Sequence, residues 1–331
     1  RHRPPLQRLI KVKILESPLA LSEQVPHIAL AAGFFDGVHL GHQKILAETF
    51  SFAHQHGSQA WALTFDPHPL AVIDPTRTPC LLTRLDLRLE LLARSGLDGC
   101  LLMPFTPELA ALSAKAFVTT VFGSWLQPGR TCAVVSGKNW RFGHNRSGSL
   151  DSIQAFSHGS ISIVHAPMVM HNGERVSSSR IRSAILSGNL PDATAMLGHP
   201  HLIRERTVVG RGIGTQMGLA TANMPTTAEV LPPVGVYEVA ASLRSDASGR
   251  WMKGVANLGF RPTFPDARPE KPELEVHILD FAGDLHGCEL DVKFLRRLRD
   301  EVQFETREAL VKQIQLDIAA VRGEEPSSFE T

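Results

Sequence analysis

The sequence predicts two domains of different class. A doubly wound, parallel α/β sheet occupies residues 1–185, and a small antiparallel β-barrel with a closing helix occupies residues 201–325, joined by a linker at 186–200. Three observations predict this. Short apolar runs alternate with helical periodicity through the first part, as in a parallel sheet covered on both faces. Beyond residue 200 the runs are strand-like, broken by Gly, Pro and Asn, with no helices between them. A chain of 331 residues is also long enough for two domains, each burying its own core.

In the first part, continuous apolar strands are expected at 27–34, 59–65, 99–105, 132–137 and 161–167. Helical spacing fills the gaps: Ile45, Leu46 and Phe50 within 42–56, Leu85, Leu89 and Leu92 within 83–95, and Leu109, Leu112, Phe117, Val121 and Leu126 within 108–126. Ligands of such sheets bind beyond the carboxyl ends of the strands, where strand order reverses. In the second part the strand candidates are RTVVG, GVYEVAASL, WMKGVANLG, ELEVHILDF and CELDVKFL. Alternation is clear in LEVHILDF, where Glu275 and His277 interrupt the apolar residues. A last helix is capped by Thr306, shows Leu310, Ile314, Ile318 and Val321 on one face, and stops at Gly323.

Bulk properties exclude several classes. Hydrophobic residues make up 43% and charged residues 20%, the proportions of a globular protein. The formal net charge of +1 offers no global field for nucleic acid or an acidic membrane, and no apolar run reaches transmembrane length. Cys80, Cys100, Cys132 and Cys288 are scattered without a CxxC pair, which reads as free thiols in a reducing, cytoplasmic setting. The start at Arg1, without a signal-peptide core, suggests a trimmed N-terminus.

The chemistry is concentrated in GFFDGVHLGH, which links the first strand to the first long helix. Gly37 and Gly41 permit close backbone approach, and the helix start offers unpaired N–H groups and partial positive charge, the makings of a phosphate site. His39 and His42 can both donate to phosphate oxygens there. Asp36, His39 and His42 could instead ligate a metal, or the histidines could simply cap the helix; the spacing is not that of H-E-x-x-H. A second anion cradle is offered by VSSSRIR, whose Ser177, Ser178, Arg180 and Arg182 precede an apolar-periodic run. In the second part, GRGIGTQMG lies between strands, a context that fits neither a Walker loop nor a dinucleotide fingerprint, though glycine N–H groups can face phosphates on a barrel. Thr221 and Asn223 share one side of a strand and present hard oxygens suited to Mg²⁺.

These motifs together resemble the bacterial bifunctional riboflavin kinase/FAD synthetase family. GFFDGVHLGHQ, TFDPHP, SGKNWRFG and VSSSRIR look like its FMN adenylyltransferase module; GRGIGTQMGLATANMP, GVYEV, GVANLGFRPTF, LEVHILDF and LRDEVQF look like its riboflavin kinase module. The resemblance implies a Rossmann-like nucleotidyltransferase domain followed by a six-stranded-type antiparallel barrel. It implies ATP as co-substrate with Mg²⁺, and riboflavin, FMN and FAD as further small-molecule partners, with no nucleic acid or membrane. The chain is expected to be a monomer or weak homo-oligomer. In the first domain the resemblance assigns catalysis to His39, His42 and Arg180, ATP binding to Gly33, Phe35, Asp36, Ser177 and Ser178, and flavin contact to Phe65, His68 and Asn139. In the second it assigns ATP binding to Gly210, Gly212, Gly214, Thr215 and Gly218, Mg²⁺ with ATP to Thr221 and Asn223, the catalytic base to Glu275, and flavin contact to Arg299, Glu301 and Phe304.

The chain departs from the family pattern at several points. Phe34 stands where Asn is usual, Asn139 and Trp140 replace Asp-Phe, Ser179 replaces Thr, and Leu219 and Ala220 replace Phe-Pro. With the histidines, Arg180, Thr221, Asn223 and Glu275 intact, both activities are expected with altered affinities. The alternatives are one surviving activity, or a flavin- or nucleotide-binding regulator without turnover.

Overall fold

The computed structural model describes residues 12–208, 221–226, 230–246, 248–260 and 272–323. The chain falls into two compact units, residues 1–81 with 85–178, and residues 82–84 with 179–331.

The apolar runs of the first unit form one sheet because its inner strands are buried residue after residue, as strands covered on both faces must be. The strands are β1 (Lys13–Leu15), β2 (His27–Ala32), β3 (Gln59–Asp66), β4 (Gly99–Pro104), β5 (Thr131–Gly137) and β6 (Ile161–Ala166). Their order is β1-β4-β3-β2-β5-β6, with every pair parallel. The chain steps outward from β2 to β4, then crosses back to place β5 beside β2, so strand order reverses between β2 and β5. Alternate residues of β2 feed two cores: Ile28, Leu30 and Ala32 join Trp61, Phe117 and Val134, while Ala29 and Ala31 join Leu46, Leu89 and Cys100. The helices are α1 (Pro18–Gln24), α2 (Leu40–Gln55), α3 (Pro69–Ile73), α4 (Leu85–Ala93), α5 (Pro107–Ala111), α6 (Ala114–Phe122) and α7 (Leu150–Phe156).

Two details differ from the sequence expectation. The helix expected over 108–126 is broken, because Leu112 is extended and the Ser113 hydroxyl accepts from the Ala116 N–H to start α6 afresh. A two-stranded ribbon, β7 (Met170–His171) and β8 (Glu174–Arg175), turns on Asn172 and Gly173, both with positive φ, as a two-residue hairpin requires.

The second unit begins with α8 (Ser178–Leu186), shared at its first residue with the other unit, and α9 (Leu190–Leu197). The stretch 186–200 therefore carries a helix: the Asn189 side chain accepts from the Asp192 N–H, Pro191 occupies the first turn, and Gly198 closes it at φ 82°. The strands are β9 (His201–Arg206), β10 (Thr221–Pro225), β11 (Gly235–Leu243), β12 (Met252–Gly259), β13 (Glu273–Ile278) and β14 (Glu289–Arg299), ordered β10-β13-β12-β11-β14-β9 and antiparallel throughout. A bridge from the Val208 N–H to the Asn223 carbonyl, 2.8 Å, joins the two edges and curls the sheet toward a barrel. Leu274, Val276, Ile278, Ala256, Leu258, Tyr237 and Phe294 fill its core.

Of the strand expected at 206–210, residues 209 and 210 lie outside the described residues and Val208 is bridged to Asn223; the described strand is His201–Arg206, which starts five residues earlier. Its charges conceal it in the sequence: Arg204 is 1% exposed and is held by Asp291 through Nε–Oδ1 and Nη2–Oδ2 bonds of 2.6 and 2.8 Å. The stretch LRDEVQF opens as strand, since β14 runs to Arg299, and α10 (Arg307–Arg322) begins after Thr306 caps it by accepting from the Ala309 N–H.

Candidate active sites

The turn after β2 is held at the strand-order reversal by hydroxyls of its neighbours. Thr64 of β3 donates to the Phe34 carbonyl at 2.9 Å, and Ser136 of β5 donates to the Ala32 carbonyl at 2.7 Å. Both hydroxyl residues are buried, so the turn leaves the sheet at a fixed angle. It then twists through the left-handed region at Phe35 (φ 59°), Gly37 (φ 80°) and Val38 (φ 39°). Phe35 tolerates this because its ring is fully buried. A left-handed Phe and a left-handed β-branched Val within four residues are costly, and such strain concentrates at functional turns.

His39 is the N-cap of α2, its Nδ1 accepting from the His42 N–H at 3.3 Å. An accepting Nδ1 places the proton of the neutral ring on Nε2. His42 stacks on His39 with ring centroids 3.6 Å apart and planes 15° from parallel, and meets the edge of Phe35 at 5.2 Å. Burial, then the His39 ring, then the Arg88 guanidinium hold the His42 pKa well below 6.5. His42 is therefore neutral at pH 7, and its enclosed Nδ1 has no hydrogen-bond partner among the described residues. Ser178 closes the arrangement by donating to the Asp36 carbonyl at 3.1 Å, which latches the serine-rich loop onto the histidine turn. Ser177 adjoins it, and Arg180 lies half-buried in the first turn of α8. Among the described residues no group of three or more His, Cys, Asp or Glu side chains could hold a metal, so Asp36, His39 and His42 do not form a metal cluster.

The residues expected at the flavin lie at carboxyl ends of strands. Phe65 is 6% exposed in the core below, edge-on to Phe105 at 5.6 Å. His68 caps α3 by accepting from the Leu70 N–H, and its ring meets the Phe34 ring at 4.4 Å. Asn139 is exposed just beyond β5, beside Trp140, which leans on Phe142.

One residue of this site escaped the sequence reading. Arg88 of α4 is 1% exposed, its Cζ stands 4.2 Å from the Phe34 ring centroid, and Nη2 donates to the Phe65 carbonyl at 3.0 Å. Its position amid leucines resembles a solvated face of an amphipathic helix, and only the tertiary structure shows that it points inward.

In the second unit, register assembles a polar face. Asn223 of β10 lies opposite Glu275 of β13, which lies opposite Asn257 of β12. Directly opposed residues share a face, so these three side chains and Thr221 stand together, opposite the core face of Ala222, Leu274, Val276 and Leu258. The Asn223 Oδ1 is buried and has no hydrogen-bond partner among the described residues. Asn257 was not singled out from the sequence; pairing it with Glu275 requires the strand register. The Arg299 fork is taken by Asp317 of α10, with Nε–Oδ1 at 3.0 Å and Nη2–Oδ2 at 2.8 Å, and Phe304 lies 5.8 Å from its Cζ. Glu301 is exposed, its Cδ only 2.9 Å from where a Cβ on Gly259 would sit. Gly210, Gly212, Gly214, Thr215 and Gly218 lie outside the described residues.

Comparison with known proteins agrees with this division. The FAD synthetase family model matches residues 21–180, and the riboflavin kinase family model matches residues 197–324. The bifunctional riboflavin kinase/FMN adenylyltransferase of Escherichia coli K12 is 34% identical over 294 residues, covering 88% of this chain and 91% of its own length. That of Pseudomonas fluorescens is 36% identical over 291 residues, covering 88% and 90%. A solved structure from Streptococcus pneumoniae, described as a macrolide-efflux protein, superposes with a TM-score of 0.79 at 26% identity, covering 96% of this chain and all of the other. Among the described residues of this chain, no helix is long and apolar enough to cross a membrane.

Proposed function

The chain belongs to the bifunctional riboflavin kinase/FMN adenylyltransferase family, and from that premise we propose how its two sites carry out the two steps. It phosphorylates riboflavin to FMN with ATP, and adenylylates FMN to FAD with release of pyrophosphate. The adenylylation belongs to the unit with the histidine turn. There an FMN phosphate oxygen attacks the α-phosphorus of ATP in line, a P–O–P bond forms, and pyrophosphate leaves. Such transfer needs positioning and charge stabilisation more than a strong nucleophile. His39, donating from Nε2, and neutral His42 stabilise charge on the transferring and leaving phosphates. The N–H groups at the start of α2 add to this, and Gly33, Phe35 and Asp36 shape the turn that cradles the nucleotide. Ser177, Ser178 and Arg180 take the β and γ phosphates, while Phe65, His68 and Asn139 line the flavin side.

The phosphorylation belongs to the polar face of the barrel. The ribityl hydroxyl of riboflavin attacks the γ-phosphorus, Glu275 accepts its proton, and ADP leaves. Thr221 and Asn223 fit Mg²⁺ with ATP, since the Asn223 Oδ1, without a hydrogen-bond partner among the described residues, is a hard oxygen acceptor of the kind such an ion prefers. When bound, the ion supplies neutralisation of phosphate charge. Gly210, Gly212, Gly214, Thr215 and Gly218 are assigned to the ATP phosphates of this step. Glu301 and Phe304 contact the flavin, with Arg299 holding their loop through Asp317.

The observation that carries the reading of the first site is the stacked histidine pair at the start of α2, latched by Ser178. Its test is His42→Asn, which should lower FAD formation from FMN by about 10²–10³-fold while FMN formation from riboflavin stays at the wild-type rate. Equal FAD formation by the variant would remove the histidine from the mechanism.

A further inference from the structure

Arginine is always charged, and burying it is tolerated only where the charge has a purpose or a partner. Arg88 is buried with only part of its guanidinium satisfied. Nη2 has the Phe65 carbonyl, but Nε and Nη1 have no hydrogen-bond partner among the described residues. The charges of Asp36 and Asp66 favour its charged form, while His42 feels it as a like charge. The guanidinium stands over the ring of Phe34, the residue that opens the histidine turn, and its Nη2 donates to the end of β3 at Phe65. One cation thus spans the two segments that frame the first site.

We propose that Arg88 is a positioning residue for adenylyl transfer: it pins the Phe34–Asp36 turn against the end of β3 and lends a fixed, buried positive charge to phosphate bound in that turn. The proposal rests on the reading of the histidine turn as the adenylylation site. It explains how an aromatic residue is accommodated at Phe34, since the ring contacts both the Arg88 guanidinium and the His68 imidazole. It also gives a purpose to the two donors, Nε and Nη1, that have no hydrogen-bond partner among the described residues, because an anion held above the turn can accept from them.

The test compares Arg88→Gln and Arg88→Lys in the full chain. Rates of FAD formation from FMN are measured against ATP concentration and pH, and FMN formation from riboflavin is measured in the same preparations. With Arg88→Gln, kcat/KM for ATP in adenylylation should fall about 100-fold. Arg88→Lys, which keeps the charge and loses the fork, should recover it to within about tenfold of wild type. Riboflavin phosphorylation should be unchanged in both. The acid limb of adenylylation should move to higher pH in Arg88→Gln and stay in place in Arg88→Lys, because only the former relieves His42 of a neighbouring cation; the other groups acting on that ring are His39 and, through Arg88, Asp36 and Asp66. A merely structural arginine would lower the thermal midpoint in both variants without moving that limb. Wild-type adenylylation in Arg88→Gln, or equal loss in both variants with an unmoved limb, overturns the proposal. If Arg88→Gln fails to fold, Arg88→Lys decides: a loss of about 100-fold or more with normal melting refutes a role carried by charge. Full adenylylation by His42→Asn would instead overturn the underlying reading of the site.

Discussion

Asp291→Ala should unfold the kinase unit at markedly lower temperature. Asp291 of β14 faces Arg204 of β9 in register, and both are nearly inaccessible, at 5% and 1% exposure. The carboxylate accepts two hydrogen bonds from the guanidinium, at 2.6 and 2.8 Å, in the fork geometry that gives such pairs their strength. Removing it strips the buried guanidinium of this carboxylate and both of its bonds, a loss that costs about 3–5 kcal/mol. For a unit of this size that corresponds to a fall in midpoint of about 10 °C. The assay is thermal denaturation alongside the temperature dependence of FMN formation from riboflavin. Arg204→Met combined with Asp291→Leu replaces the pair with apolar groups of similar size, and should recover most of the loss. A midpoint in Asp291→Ala within 2 °C of wild type, or a double variant less stable than the single one, would refute the idea that this pair compensates a buried charge.

Two further outcomes follow from the same unit. His201 is buried against Phe294 and donates from Nε2 to the Val230 carbonyl; burial, assisted by His199, pushes its pKa down to about 4 despite that bond. The unfolded chain takes up this proton near pH 6.5 and the folded chain only near 4, so stability is complete above 6.5 and is lost as pH falls between the two. About 2 kcal/mol should disappear between pH 7 and pH 5 in urea unfolding, and His201→Gln should lack that part of the slope. Gly259→Ala places a Cβ against the exposed Glu301 carboxylate, which can swing aside, so thermal stability should change little, by about 0.5 kcal/mol or less. The KM for riboflavin should rise if Glu301 contacts the flavin, and an unchanged KM would remove Glu301 from that site.

Much of this architecture was legible because the hydrophobic pattern dictates it. Continuous runs such as 59–65 can only be strands covered on both faces, and they are. The alternation around Glu275 likewise put that carboxylate on the face away from the core, where it stands. The short edge strand β1 and the ribbon β7–β8 are too brief for any periodicity to register, although Asn172-Gly173 is a hairpin signal in its own right. β9 was misplaced because pairing with Asp291 makes Arg204 a core residue, and no single-residue scale anticipates a partner 87 positions away. The candidate sites divide in the same way. Motifs and the family resemblance point to His39, His42, Ser178 and Glu275 as candidates, whereas Arg88 and Asn257 enter only through helix orientation and strand register, which depend on the whole fold.

The central claim is that the histidine turn and the Glu275 face are separate centres, each carrying one step. The most direct measurement separates flavins chromatographically after incubating His42→Asn, Glu275→Gln and an equimolar mixture of the two with riboflavin, ATP and Mg²⁺. The account predicts FMN alone from His42→Asn, unreacted riboflavin from Glu275→Gln, and FAD from the mixture. Glu275→Gln supplied with FMN should form FAD at the wild-type rate. FMN produced by Glu275→Gln at the wild-type rate, or FAD produced by His42→Asn alone, would contradict it.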